Sequence, residues 1–522
     1  MSGSYRAAPR EGADASGGGA TPARESSPAS AARARTAAWI LFVAAAAVFL
    51  LYSWTRHARF GSGSWDLGCY AQGAWLAGRF GDMTSSLLRG AHVLGDHFLP
   101  IVYLLGPLVH AWRDAAALLV VQAVAIASIA FPLSWLARRA GLGLPPAIAI
   151  ALAFLLSLGT QSAVLFDFHH VALGAAFFAY AYWFLETGRT GAALACAALL
   201  VATREDAWLH AAALGAYAAV FQGRRRAGAA LALAGVAGFV VVVQWVMPAF
   251  AGSAAGVAHL RRFEQFGDTP WAALVQAVSH PLRTLAIAVT PPEKLQSLLL
   301  VLAGFAGLPL LSPRHLVLAL PILAERFLTT KPEPWGTGFH YGLMTTLVAA
   351  LASVAGAARA QRLLARGASR SGAAAAGGQA AGAYLAAAVL LATLLVDARG
   401  AGAPAAFASL SKPYFARDAG LNRRALSLVP EDASVAAQDH FVPHLALREH
   451  AFLLEDAHRA EWVIANLGDG TWPYRREEVI ALLRTLLADG YRPVFSEGTA
   501  VVLRRGADRP VPLAPELARL LR

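Results

Sequence analysis

Apolar residues along this chain fall into runs long enough to cross a bilayer, separated by short polar connections. A hydrocarbon core of about 30 Å requires about 17–25 apolar residues in a helix. Eleven stretches approach that length: 37–54, 115–136, 144–160, 168–186, 190–203, 206–222, 227–250, 295–311, 315–329, 341–358 and 380–396. Two others, 98–112 and 271–289, are apolar but interrupted by Pro, His or Arg, and read as helices lying at the interface. Residues 1–36 hold Gly, Ala, Ser, Pro and Arg with almost no large apolar side chains, so a disordered cytoplasmic segment is expected. After Val396 the pattern changes. Short apolar runs at Ser434–Ala437, Ala451–Leu454, Glu461–Asn466, Pro493–Ser496 and Ala500–Leu503 are separated by turns, and Arg475–Ala488 has helical spacing. The predicted organisation is an α-helical polytopic domain at 37–396, with a first outer loop at 55–114, and a small extracytoplasmic α/β domain at 397–522.

Composition narrows the function classes. The chain is 57% hydrophobic and 15% charged, with a mean hydropathy of +0.50. A soluble domain is about 25% charged, so a soluble enzyme and a disordered protein are excluded. The net charge of +12 is unevenly placed. With a cytoplasmic N-terminus and alternating spans, the inner loops hold sixteen arginines against three acids, and the outer loops and tail balance. Once Glu186 at an inner helix end is counted, the whole excess falls on the cytoplasmic side. That is the positive-inside pattern of a multi-pass protein of the cytoplasmic membrane. It leaves no basic outer face for nucleic acid. Cys69 and Cys196 make neither a disulfide framework nor a zinc set.

Ionisable side chains near membrane depth are costly and usually face a cavity. In this topology they form five groups on the outer side. Asp66 sits in Ser64-Trp-Asp-Leu-Gly68, as a reactive carboxylate or the cap of a following helix. Asp96 and His97 read as a pair that binds metal or shuttles a proton, or, as the favoured reading, as a cap of the interfacial helix with His97 on its wet face. Asp167, His169 and His170 lie between aromatics at the start of the fourth span. Arg204, Glu205 and Asp206 form a tight turn between the fifth and sixth spans, readable also as a solvated corner. Glu325, Arg326, Lys331, His340 and Tyr341 flank the ninth and tenth spans, with snorkelling as the plain reading of Lys331. Together they fit transfer from an anionic lipid carrier, with a carboxylate as general base and arginine, or a divalent ion on carboxylates, stabilising the departing phosphate. Asp66 and Asp167 are the candidate metal ligands, and Mg²⁺ or Mn²⁺ the candidate ions. No P-loop or dinucleotide fingerprint is present.

The motifs recur in a recognisable order. Trp65-Asp66-Leu67-Gly68 with Gln72, Asp96-His97-Phe98-Leu99-Pro100, Gln122, Phe166-Asp167-Phe168-His169, Arg204-Glu205-Asp206, Glu325-Arg326-Phe327-Leu328, His340-Tyr341 and Val442–Arg448 resemble the bacterial membrane-protein family catalogued as domain of unknown function 2079. The resemblance runs from about residue 37 to the C-terminus. It implies a GT-C glycosyltransferase-like fold and a polyprenyl-phosphate sugar donor. It implies an envelope glycan, lipid or protein acceptor, and a catalytic acid just after the first span. Asp66 holds that position, with Asp167 or Glu205 as the second acidic site. Where the superfamily commonly places two adjacent acids, this chain has Asp66 alone. The expected function is an inverting GT-C glycosyltransferase, with Asp66, Asp167 and Glu205 catalytic. His97, His169, His170, Arg204, Asp206, Glu325, Arg326, His340 and Tyr341 are the expected substrate contacts. A transporter or flippase of a lipid-linked or anionic substrate, and a non-catalytic envelope assembly protein, are the rival readings.

Overall fold

The computed structural model describes residues 28–251, 258–267, 270–370, 374–399 and 417–522. Helices dominate. In chain order the longer ones are α1 (Pro28–Ala58), α2 (Cys69–Gly78), α3 (Val102–Trp112), α4 (Ala116–Arg139), α5 (Leu144–Leu156), α6 (Leu158–Leu165), α7 (Val171–Glu186), α8 (Thr190–Val201) and α9 (Ala207–Phe221). There follow α10 (Arg225–Ala251), α11 (Pro270–Ser279), α12 (Pro281–Val289), α13 (Pro292–Gly304), α14 (Leu316–Phe327), α15 (Gly342–Arg370) and α16 (Ala374–Arg399).

Each of the eleven predicted spans contains helix, but lengths differ from expectation. Five helices, α1, α4, α10, α15 and α16, are long and apolar enough to cross a membrane, or seven if each bent pair α5/α6 and α11/α12 is one span. Ser157, in extended conformation, breaks α5 from α6 at 45°. Helices α7, α8 and α9 are apolar but shorter. The 271–289 segment bends by 98° ahead of Pro281, which removes it as a straight span. At the N-terminus, residues 28–36 already belong to α1, while the rest of the segment expected to be disordered lies outside the described residues. The Ala- and Arg-rich run after Pro28 explains this, since Pro suits a first helical position and Ala and Arg are strong helix formers.

Small residues let the bundle close. A Cβ on Gly215 of α9 would lie 2.4 Å from the Ala232 amide nitrogen, and one on Gly228 of α10 would lie 2.4 Å from that of Ala219. The two backbones therefore touch, which is how helices gain contact where lipid is as apolar as their side chains.

The C-terminal domain carries the predicted strands. After the ribbon β1 (Thr84–Ser85) and β2 (Ala91–His92) in the first loop come β3 (Val435–Ala437), β4 (Ala451–Leu453), β5 (Trp462–Asn466), β6 (Tyr491–Glu497) and β7 (Ala500–Arg505). The sheet order is β4-β3-β5-β7-β6; β3 pairs in parallel with β4 and β5, and β7 antiparallel with β5 and β6. Alternation along the strands divides the sheet faces. Val463 and Ala465 pack with Val479, Leu483 and Leu486 of α18 (Arg476–Ala488), which follows α17 (Ala419–Leu426). Val435, Ile464 and Val502 face the other way and share one core with Phe441, Phe60, Leu67 and Phe168. Burying each such large side chain contributes about 1.5–3 kcal/mol, so the domain is welded onto the helical body. Gln72 Nε2 donates to the Arg448 carbonyl at 2.9 Å, Ser86 Oγ donates to the Ala451 carbonyl at 2.7 Å, and His57 stacks on His444 at 4.1 Å.

Candidate active site

The end of α1, the α6–α7 connector, the α8–α9 turn and the segment before α15 meet at one end of the bundle, under the C-terminal domain. Between them lies a cavity of about 720 Å³. Asp66, Asp167, His97, His169, Arg204, His340 and Tyr341 all line it, and Arg56, Arg262 and Asp439 join them. Trp65, Phe339 and Trp472 also border it, each well exposed. Three arginines face five carboxylates across this lining, the other two acids being Asp96 and Glu333.

The turn bearing Asp66 is gripped from two sides. Ser64–Gly68 forms one π-helical turn leading into α2, and Asp66 lies within it without capping a helix. π-turns of this kind are frequent at functional sites. Gly63 donates its amide to Asp167 Oδ2 at 2.9 Å, and Ser64 donates both amide and hydroxyl to Asp439 Oδ1 at 2.8 and 2.6 Å. A Cβ at Gly63 would stand 3.0 and 3.2 Å from the two Asp439 oxygens and 3.4 Å from Asp167 Oδ2. Only a residue without a side chain lets two carboxylates close on that backbone. Asp167 also pairs with Arg56, so its carboxylate braces the turn and does not cap α7.

Burial, and then the charge of Asp167, raise the pKa of Asp66 to about 8, against the opposing pull of His97 and Arg56. Burial likewise pushes Asp439 up, despite the bonds from Ser64. Glu205 stands behind the cavity wall, where Oε1 lies 3.0 Å from His97 Nδ1 and Oε2 accepts the Phe98 amide at 3.2 Å. Burial works against both charges of this pair, but each holds the other ionised: His97 is raised and Glu205 lies well below the usual carboxylate range. Arg204 is buried among three carboxylates, with Nη2 2.7 Å from Glu325 Oε1 and Nε 3.2 and 3.5 Å from Asp206 and Glu205.

His169 and His340 stack with centroids 3.4 Å apart, and Tyr70 reaches His169 Nε2 at 3.3 Å. Gln122 positions this connector: its Oε1 accepts the His169 amide at 2.9 Å and its Nε2 donates to the Asp167 carbonyl at 3.3 Å. One donor atom each from Asp66, His169 and His340 lie within 4.8 Å of one another. Both ring nitrogens of His340 are buried with no hydrogen-bond partner, and burial followed by the charge of Arg204 holds its pKa well below the ordinary value. A neutral imidazole with a free nitrogen is a metal ligand, and His340 offers one; His169 Nδ1 already accepts the Val171 amide at 3.3 Å, so His169 would join through Nε2 in place of its Tyr70 contact, and on those terms the residues fit a divalent ion. Asp167, the other ligand expected from the sequence, is engaged by Arg56 and Gly63 and is not part of this group. That donor chemistry suits Zn²⁺ or Mn²⁺ better than Mg²⁺.

Other expected contacts lie off the cavity. His170, Asp206 and Glu325 sit behind its lining. Arg326 does not face it. Its guanidinium is buried and donates to the Pro334 and Gly336 carbonyls at 2.8 and 3.1 Å and to Thr345 Oγ1 at 2.8 Å. It anchors the segment before α15, so the expectation that it contacts substrate is corrected. Asp439 and Trp472 were missed by sequence reasoning, although a signal exists. Asp96-His97-Phe98-Leu99-Pro100 is echoed by Asp439-His440-Phe441-Val442-Pro443, and in each pentapeptide the histidine pairs with a distant carboxylate, Glu205 or Asp469.

A search of the curated proteins finds no match to this chain. Among solved structures it is similar to ArnT from Cupriavidus metallidurans in the apo state, with 15% identity, a TM-score of 0.44, and coverage of 90% of this chain and 98% of that one. Residues 56–502 match the family described as predicted membrane protein, DUF2079, and the chain belongs to that family.

Proposed function

We propose that this protein is an inverting glycosyltransferase. It moves a sugar from a polyprenyl-monophosphate donor to an acceptor hydroxyl of an envelope glycan, lipid or protein, at the outer face of the bacterial cytoplasmic membrane. The observation that carries this reading is Asp66: a carboxylate with a pKa of about 8, presented on a braced turn into a large cavity with an aromatic rim.

A general base works best with a pKa near the operating pH. Asp66 takes the proton of the acceptor hydroxyl as that oxygen attacks the anomeric carbon. The bond from the anomeric carbon to the phosphate oxygen breaks, and polyprenyl phosphate leaves with the bonding pair. Arg262 supplies positive charge at the cavity wall for that phosphate, while the charge of Arg204 is already shared with Glu205, Asp206 and Glu325. With three arginines against five carboxylates, the cavity tolerates one phosphate far better than a diphosphate. The flat faces of Trp65, Phe339 and Trp472 suit stacking on a sugar ring or its lipid. Asp167 and Glu205 act as positioning residues, the first on the Asp66 turn and the second on His97. A divalent cation held by Asp66, His169 and His340 would supply Lewis-acid charge to the phosphate.

The test is turnover of lipid-linked sugar by the purified full chain in lipid, comparing wild type with Asp66→Asn. New glycosidic product from wild type alone supports the reading, and equal rates discard the base. Passage of intact lipid-linked sugar across sealed proteoliposomes without product would assign a transporter instead. Neither activity in wild type would favour an assembly role.

A further inference from the structure

A second recess lies at the far end of the helical body. Helix α4 starts beside the site and runs 24 residues to Arg139, about 36 Å at 1.5 Å per residue. Helix α7 likewise leaves the site at Val171 and ends at Glu186. These ends, the residue before α14 and the far part of α15 enclose about 290 Å³, lined by Arg139, Arg314, Arg362 and Glu186 over an apolar wall that includes Leu351 and Val354.

Three arginines from three separate elements line this space. Among the described residues none of them forms an ion pair with a carboxylate, and Arg314 only overlies the Tyr217 ring. All three side chains are exposed, and they border one concavity. Its floor is fixed. Glu186 Oε1 accepts from the Tyr217 hydroxyl and from Gln222 Nε2, each at 3.1 Å, and the Tyr182 hydroxyl joins Tyr217 at 3.1 Å and His315 Nε2 at 2.8 Å. Glu186 Oε2 takes no hydrogen bond among the described residues, and so offers one acceptor inside a positive rim.

We propose that this recess binds the head group of an anionic glycerophospholipid, its phosphate held by Arg139, Arg314 and Arg362 and a head-group hydroxyl donating to Glu186. The adjoining apolar wall takes the start of an acyl chain. Basic pockets between helix ends are suited to such head groups, and phosphatidylglycerol has both the phosphodiester and the hydroxyls. The proposal is independent of the transferase reading, since none of these residues borders the candidate active site.

The test is native mass spectrometry of the full chain released from equimolar phosphatidylcholine and phosphatidylglycerol. Wild type is expected to retain phosphatidylglycerol preferentially. Arg139→Gln with Arg314→Gln should lower that retention about thirtyfold, the effect of removing two surface arginines, with an unchanged melting temperature. In a second mixture of equimolar phosphatidylglycerol and phosphatidic acid, Glu186→Gln should narrow the preference for phosphatidylglycerol. If the double variant does not fold, Arg362→Gln alone should still lower retention. Equal retention of both lipids, or a variant that folds and keeps phosphatidylglycerol as wild type does, overturns the proposal. Complete displacement by inorganic phosphate would also overturn it, assigning a site for a soluble anion.

Discussion

The imidazoles of His169 and His340 stack face to face at 3.4 Å, although 171 positions separate them in the chain. Two neutral rings beside Asp66 form a donor set that the isolated motifs do not reveal. Removal of His340 should therefore abolish retention of Zn²⁺ or Mn²⁺. Loss of even an outer partner of a metal site costs about 10–100-fold in affinity, so His340→Ala should weaken binding at least that far. Metal content of the purified protein after dialysis against each ion measures it.

The raised pKa of Asp66 has a consequence for stability. Its value climbs from 3.8 to about 8 on folding. The folded state then holds the proton more tightly, so the group costs stability as pH rises from about 4 to about 8 and adds no further cost above that. Asp66→Asn should consequently gain melting temperature over wild type across that interval, with no gain below it, while losing transfer activity. Thermal unfolding in detergent at stepped pH tests both halves, and a constant offset at every pH would contradict the linkage.

Gly63 and Asp439 should behave as a coupled pair. Gly63→Ala places a methyl 3.0 Å from the Asp439 carboxylate and should lower turnover by displacing the Asp66 turn. Asp439→Ala should lower it too, since two Ser64 donors lose their acceptor. Contacting residues depart from additivity by about 0.5–3 kcal/mol, so the double variant should lose less than both single losses together. Full additivity in kcat/KM would mean that the two sites act independently.

Arg326 predicts the opposite signature. Arg326→Ala strips hydrogen bonds from the buried Pro334 carbonyl, the half-buried Gly336 carbonyl and a threonine hydroxyl, each buried group so abandoned costing about 1–3 kcal/mol. A marked fall in melting temperature is expected, with KM for the lipid-linked donor unchanged in whatever protein folds. A raised KM at normal stability would return Arg326 to the site.

The helical segments were legible because their runs of apolar residues are long and uninterrupted. Their lengths were less so: hydropathy does not distinguish a helix facing lipid from one such as α7, whose Ala175, Phe178 and Ala179 are buried in the protein. Most of the cavity's ionisable groups were legible as motifs lying at helix ends. Arg326 was misread because it adjoins Glu325, yet successive positions on a helix point about 100° apart; one pairs with Arg204 and the other turns to Thr345. Asp439 and Trp472 reach the site from a domain more than 370 residues beyond Asp66, a distance no local pattern spans.

The clasp on Ser64 also sets an order of biogenesis. Its acceptor, Asp439, is synthesised 375 residues later, so a nascent chain inserting its first helices has no finished pocket. The carboxylate of Asp66 gains its surroundings only when the final domain docks, so on the transferase reading a half-made copy lacks a working pocket.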